Sequence, residues 1–530
     1  MGTATYDVVV IGAGMTGAGV ALDATTRGLR VALIDAGDFA SGTSSKSSKM
    51  VHGGLRYLQQ REFRLVYENL RERQRLLENA PFLVRPLPFL IPIFGANSVG
   101  SRALAKGYAT ALRLYELAGG WRIGQHHRKV TAAEALEHVP ALRSERLVTG
   151  FVYLDARGDD ARVVLTLVKT AVLEHGAHAV NYVRAVSLMH HESGRVRAVV
   201  CHDELSGDEF TLATKLVVNA TGVWADDVIA MAESAPSHLI TPAKGVHISV
   251  ARERLRTDIA AVFNVPGDRR SVFVVPFDEA EATFIGTTDT AYDGALDNPL
   301  CTPEDIDYLL DAVNASTTAQ LTRDDIIGLW AGLRPLLAPA PGSRLSERTA
   351  DLSRRHQVHD TGDGVVHITG GKWTTYRQMA EDAVNALKPY VANLTGVRTK
   401  KLRLHGTGAW RPSTPLEEHL YRRYGSDSQL VLAIIDENSA LAAPVIPGQS
   451  YVGAEFVFAA RHEMATSLID LVTRRTRAHL HDARRTLEAA DSICSMVARD
   501  MGWANEDCIA QLRAYRSLVE REFTSAGLAL

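Results

Sequence analysis

The chain opens with short unbroken apolar runs rather than alternation. YDVVVIG (6–12) is the kind of run that a parallel strand covered on both faces shows. GAGMTGAG follows, then a helix to about Arg27 ended by Gly28 in the position a helix C-cap favours, then the strand RVALID. Over 6–35 the pattern therefore predicts strand, glycine turn, helix, strand. From Glu62 to Asn79 the apolar positions Phe63, Val66, Tyr67, Leu70 and Leu77 predict one face of a surface helix. Thr131 with Glu134 forms a capping box that opens another helix. LVVNATG (216–222) is again a strand running into glycine, and GVVHITGGKWTTYRQMAEDAVNAL (364–387) repeats strand, glycine turn, helix.

Between about 240 and 350 the texture changes. HISVA, SVFVVPF and ATFIGTTD predict a largely antiparallel second sheet. Beyond a polar, proline-containing stretch near 405–415 the remainder is predominantly helical. The expected architecture is α/β, with a discontinuous nucleotide-binding domain over 1–85, 148–238 and 350–400. A β-rich substrate or cap domain over 86–147 and 239–349 is inserted into it, and a C-terminal helical domain follows over 405–530.

Length fits this division, since 530 residues exceed what one core holds. A net charge of −3 gives no general affinity for nucleic acid, so any anion site must be local. Cys201, Cys301, Cys494 and Cys508 form no C-x-x-C and show no zinc spacing, which points to reduced thiols in a cytoplasmic protein and to no metal centre. The N-terminus lacks the pattern of a secretory signal, and no apolar run is long enough to span a bilayer. PFLVRPLPFLIPIFG (81–95) comes nearest, broken by prolines and an arginine. It reads either as a buried irregular segment or as an apolar patch that dips into a membrane surface.

Gly12-x-Gly14-x-x-Gly17 follows a strand, opens a helix and is succeeded by Asp35 at the end of the next strand, which makes it a dinucleotide fingerprint. Gly12 permits the turn, Gly14 and the following Met15 let backbone approach a pyrophosphate at a helix N-terminus, and Gly17 packs helix on strand. Asp35 can accept hydrogen bonds from a ribose. Two later passes favour FAD over NAD. Gly222 ends a strand where backbone could again meet an extended ligand. Gly370 and Gly371 precede a helix whose first turn carries Thr374 and Thr375, and such a helix end would stabilise a reduced flavin. A second glycine fingerprint is missing, which argues against a nicotinamide reductant.

SSKSSKMVHGGLRYL, GLWAGLRPLL, ITGGKWTTYR and RHEMATSLIDLVTRRTR together resemble the FAD-dependent, respiratory glycerol-3-phosphate dehydrogenases, from about residue 5 to the C-terminus. The wider kinship is with amino-acid-oxidase-like flavoproteins, whose FAD-binding domain is Rossmann-like. The resemblance implies oxidation of sn-glycerol 3-phosphate to dihydroxyacetone phosphate, with hydride passing from C2 to flavin N5. It places Ser44, Ser45, Ser48 and Met50 near the flavin, and His52, Arg56 and Tyr57 on the substrate side. Arg334 and Lys372 match the family's other anion-binding positions. Two departures are Asp35, where relatives commonly carry Glu, and Trp373, where a smaller residue is usual.

A dianionic phosphate suits guanidinium forks, so Arg56 and Arg334, helped by Tyr57 and Lys372, are the expected clamp. The apolar run around Arg334 suggests a buried strand end, and a buried arginine needs an anionic partner. Histidine is the default base for the hydroxyl proton, and both His52 and His247 are candidates; Lys372 or Arg334 could instead stabilise a developing alkoxide. The resemblance makes a membrane quinone the expected acceptor, with oxygen the alternative for a related oxidase branch. Segment 81–95 with Arg102, Lys106 and Arg113 would suit docking on an anionic cytoplasmic membrane face. Arg474, Arg475 and Arg477 read as structural or interfacial. The chain leaves open whether it forms a homo-oligomer.

Overall fold

A computed structural model describes residues 4–59, 62–95, 99–232, 239–268, 270–338 and 355–530, without the side chains of residues 56, 59, 99–102 and 232. Arg56 and Arg102, both singled out from the sequence, thus have side chains outside the described residues.

Two sheets carry the fold. In the first, the strands Val365–Gly370, Glu209–Asn219, Thr5–Ile11, Val31–Ile34 and His178–Val180 lie side by side and parallel. His356–Asp360 closes one edge antiparallel, and Val183–His190 and Val196–Asp203 extend Glu209–Asn219 as an antiparallel flap. Helices Met15–Thr26, Asp160–Lys169 and Tyr376–Ala386 pack with this sheet around one core. Continuous burial of VALI at 31–34 is what a strand covered on both faces requires. At the glycine turn, a Cβ on Gly17 would stand 1.7 Å from the Gly12 carbonyl oxygen, so the first helix can approach its strand only through glycine.

The second sheet is antiparallel over Ile240–Ala251, Ser271–Pro276, Ala282–Gly286 and Ile326–Leu337, as the alternating texture predicts. It also recruits two strands that the sequence placed otherwise. Residues Val84–Phe94 form an eleven-residue strand paired along its length with Leu147–Gly158. Neither expectation for 81–95 anticipated this. The physical reason is parity: Pro86, Pro88 and Pro92 are all even-numbered, so their missing N–H groups fall on one edge and the ladder on the other edge survives. Leu147–Gly158, assigned to the nucleotide domain by its position in the chain, belongs to the second sheet instead.

Phe63–Asn79 is helical, but its buried stripe runs through Leu65, Val66, Asn69, Leu70, Arg73 and Leu76. Phe63 and Tyr67 are 53% and 46% exposed, so the predicted apolar face is rotated. Buried Arg73 explains the rotation, because it is drawn inward by Asp155 at 2.6 Å.

The C-terminal helices, from Pro415–Tyr424 to Asn505–Ser525, share one hydrophobic core with the second sheet; Val246, Ile248 and Leu329 pack with Phe456, Phe458 and Ile493. Their tie to the nucleotide domain is ionic. Asp38, fully buried just past the second strand, accepts from both terminal nitrogens of Arg475 at 2.6 and 2.8 Å and from Arg474 Nε at 2.6 Å. These guanidinium groups hold its carboxyl well below the usual range. Removing the carboxylate with Asp38→Ala strands two buried cations and is expected to cost about 3–5 kcal/mol in chemical denaturation, and Asp38→Asn, which keeps one acceptor oxygen but turns an NH2 on guanidinium donors, is also expected to destabilise.

Candidate active site

A cavity of about 680 Å³ runs from the carboxyl ends of the parallel strands to the face of the second sheet. Its nucleotide end is lined by Gly12, Gly14, Met15, Asp35, Ser44 and Gly222. Asp35 accepts from the Ala13 amide at 2.6 Å and the Gly37 amide at 2.9 Å, and the Met15 amide donates to Ser44 Oγ at 2.8 Å. Hence the loop after the second strand is stitched to the glycine turn by side chains two dozen residues away. Gly370, Gly371 and Thr374 line the cavity from the opposite side. Both glycines hold positive φ, +73° and +80°, and a Cβ on either would meet backbone or the Met379 sulfur inside 3 Å. A single turn of tighter helix, Trp373–Thr375, separates them from helix Tyr376–Ala386.

The far end is lined by Ser48, Met50, His52, Tyr57, His247, Arg334 and Lys372. Side chains from remote parts of the chain therefore converge on one space. Lys372 Nζ lies 3.7 Å from the Tyr57 ring centroid. Arg334 is oriented by Asp289 at 3.3 Å, Thr287 Oγ1 at 3.2 Å and the Thr288 carbonyl at 3.0 Å. Thus Asp289 supplies the anionic partner that this arginine requires, and the guanidinium is fixed before any ligand arrives. His247 Nε2 is 2.7 Å from Ser48 Oγ, and its ring stacks on Trp330 with centroids 4.8 Å apart. Burial, then the neighbouring Lys49 and Arg334, pushes the His247 imidazole well below its ordinary range. It is a neutral ring.

Gly17, Ser45 and Thr375, expected among the cofactor-binding residues, do not line the cavity, Gly17 in keeping with the packing role its place in the fingerprint implies. Ser45 is buried with its carbonyl turned to Lys49 and Arg477, and Thr375 is buried with both its amide and hydroxyl on the Lys372 carbonyl. Conversely, Lys46, Asp155, Asp160 and Arg270 line the cavity and were not singled out from the sequence. Arg270 donates to Asp268 at 2.6 Å and to the Asp289 carbonyl at 2.8 Å, which sets it beside Arg334. Its only signal was a basic pair in GDRRSVFVV at the mouth of a strand. Asp155 holds the turn that carries His52: it accepts from Tyr115 OH at 2.6 Å and from the Gly53 amide at 3.3 Å, while that amide also donates to Tyr115 OH at 2.8 Å.

Residues 7–377 match the family model for FAD dependent oxidoreductases, and residues 366–508 match that for the C-terminal domain of alpha-glycerophosphate oxidase. Glycerol-3-phosphate dehydrogenase 2 of Mycobacterium tuberculosis is 39% identical over 99% of this chain and 90% of its own length. The chain belongs to the FAD-dependent glycerol-3-phosphate dehydrogenase family. The human mitochondrial glycerol-3-phosphate dehydrogenase is 33% identical over 98% of this chain and 74% of its own. The glycerol-3-phosphate dehydrogenase from Bacillus halodurans, solved complexed with FAD, shares 29% identity, covers 98% of this chain and 96% of its own, and aligns with a TM-score of 0.78.

The cavity fits this family's cofactor. On Gly14 a Cβ would crowd Ser44 Oγ at 2.9 Å, so that wall is shaped for backbone rather than side chain, and Asp35 adds a carboxylate to the same cavity lining. Burial raises the Asp35 carboxyl to about 6. A ribose hydroxyl would donate to the ionised form, and FAD binding through Asp35 would then lower this pKa and release a proton. Affinity for FAD is therefore expected to rise with pH up to about 6 and to level off above it. Titrating apoenzyme with FAD at pH 5 and pH 7.5 measures this, and Asp35→Asn is expected to abolish the difference.

Proposed function

We propose that this enzyme oxidises sn-glycerol 3-phosphate to dihydroxyacetone phosphate and passes the electrons to a membrane quinone while docked on the cytoplasmic membrane face. The observation that carries the reading is the meeting of Arg334, Lys372, Tyr57 and two histidines with the nucleotide cradle in a single cavity. Bound FAD supplies a hydride acceptor there. Arg334, pre-oriented by Asp289, and Lys372, beside Tyr57, hold the phosphate; Arg270 reinforces the same wall. Arg56 completes the clamp in this reading on the strength of its motif alone.

His52 is the better base of the two histidines. A proton placed on His247 would sit buried beside two cations, which burial and charge both oppose, whereas His52 is only half-buried on a pinned glycine turn. Neutral His247 instead fixes Ser48 beside it in the cavity wall. His52→Gln is expected to lower kcat by about 10²–10⁴-fold and to remove the acidic limb of its pH profile, while His247→Gln retains that limb. Arg334→Ala should reduce kcat/KM for glycerol 3-phosphate by about 10–100-fold, with unchanged values sinking the clamp.

For the acceptor, the support is an apolar arm of the cavity lined by Phe89, Ile91, Tyr108, Tyr153, Val262 and Phe273. Tyr108 belongs to helix Val99–Leu117, whose outer face exposes Leu104, Leu114 and Leu117 among Lys106 and Arg113. Trp121 and Tyr67, each with Arg122 5.4 Å from its ring, continue that surface at 56% and 46% exposure. No described helix is long and apolar enough to cross a membrane. An amphipathic face with basic flanks binds an anionic bilayer from one side. Leu117→Glu combined with Trp121→Glu is expected to weaken binding to anionic vesicles by about tenfold or more, with anaerobic flavin reduction by glycerol 3-phosphate unaffected. Flotation that survives the double change would refute this docking face.

A further inference from the structure

A second, small cavity of about 40 Å³ lies behind the Ser44–Met50 segment, where the nucleotide domain, the second sheet and the C-terminal helices meet. Its wall is cationic to a degree that packing does not require. Arg85, Arg157, Arg162, Arg422, Arg423 and Arg477 line it together with Lys49, against only two carboxylates, Asp159 and Glu279. Each of the more buried arginines has a carboxylate behind it: Arg162 pairs with Glu463 at 2.6 Å, Arg423 with Glu455 at 2.8 Å, and Arg477 with Asp160 at 3.0 Å. Those acids stand outside the wall, so the space itself faces positive charge.

Unspent donors point to what fills it. Arg85 Nε, Arg477 Nε and His481 Nδ1 are all buried without a hydrogen-bond partner, and all three residues line this cavity. Arg477 is 2% exposed and His481 1%. A guanidinium Nε–H can only donate, so the filler has to accept. Burial and the surrounding Arg477, Arg423, Lys49 and Arg157 push the His481 imidazole well below its ordinary range, leaving a neutral ring able to donate from Nδ1 as well. A buried donor left unmet costs about 1–3 kcal/mol, more when charged. The volume exceeds the roughly 10–15 Å³ that a single water needs, and admits a compact anion.

We propose that this cavity is a structural anion site, binding a compact inorganic anion between Arg85, Arg477 and His481 and so clasping the C-terminal helices to the two sheets. It is independent of the reaction assigned above, since none of these three residues lines the active-site cavity. Bromide is the probe. Holoenzyme crystals soaked in sodium bromide are expected to show an anomalous peak in contact with Arg477 and His481. In solution, bromide should raise the Tm of the wild-type holoenzyme by about 2 °C or more over a bulky organic sulfonate at equal ionic strength. Inorganic phosphate in a parallel arm distinguishes an oxyanion from a halide. Arg85→Gln, at a partly exposed position that does not line the active-site cavity, should lose most of that shift. Ordered water alone in the soaked crystal, or an equal shift in wild type and Arg85→Gln, would overturn the site.

Discussion

One carboxylate holds the working part of this molecule together. Asp160, fully buried at the start of helix Asp160–Lys169, accepts from the Ser47 amide at 3.0 Å and its hydroxyl at 2.6 Å, from Lys49 Nζ at 3.3 Å and from Arg477 at 3.0 Å. The first three belong to the Ser-Lys segment between nucleotide and substrate ends of the cavity, and the last to the C-terminal domain. An ion this deep persists only when its lone pairs are satisfied, so all four partners must be present together. The segment's course is consequently set by burial energetics, although its own composition is that of a solvated loop.

The same logic recurs at Asp38 and Asp155. Each is a buried acid gripping arginine from another part of the chain, and Asp155 also fixes the backbone turn at Gly53 beside the cavity. Hydrophobic cores build the two sheets and the helical layer; ion pairs between those layers set their mutual register. Burial of charge adds little net stability compared with apolar packing, but it is unforgiving about geometry, which is what a site assembled from remote segments needs.

The nucleotide cradle was legible in the chain because its requirements are local: glycine where a Cβ collides, an acid at a strand end, a strand before and a helix after. Gly12, Gly14, Asp35, Gly370 and Gly371 all fall where those rules put them. Asp38, Asp155 and Asp160 left no such trace, since their arginine partners lie 82 to 437 residues away, and Arg270 left none because its place is set by the fold of the loop carrying Asp289. Proline misled in Val84–Phe94, where counting breakers obscured their shared parity. In Phe63–Asn79 the predicted apolar face is rotated, keeping Val66 and Leu70 inward but turning Phe63 and Tyr67 out, where a buried ion pair of Arg73 with Asp155 takes the inner side.

Tyr115 has a consequence beyond its own hydrogen bonds. It projects inward from helix Val99–Leu117 between Leu114 and Leu117, which project outward, and its hydroxyl receives the Gly53 amide. That helix cannot shift or roll without either dragging the histidine-bearing turn along or severing its tether. Whatever presses on the outer leaves of the protein is, through a single phenol, felt at the hearth.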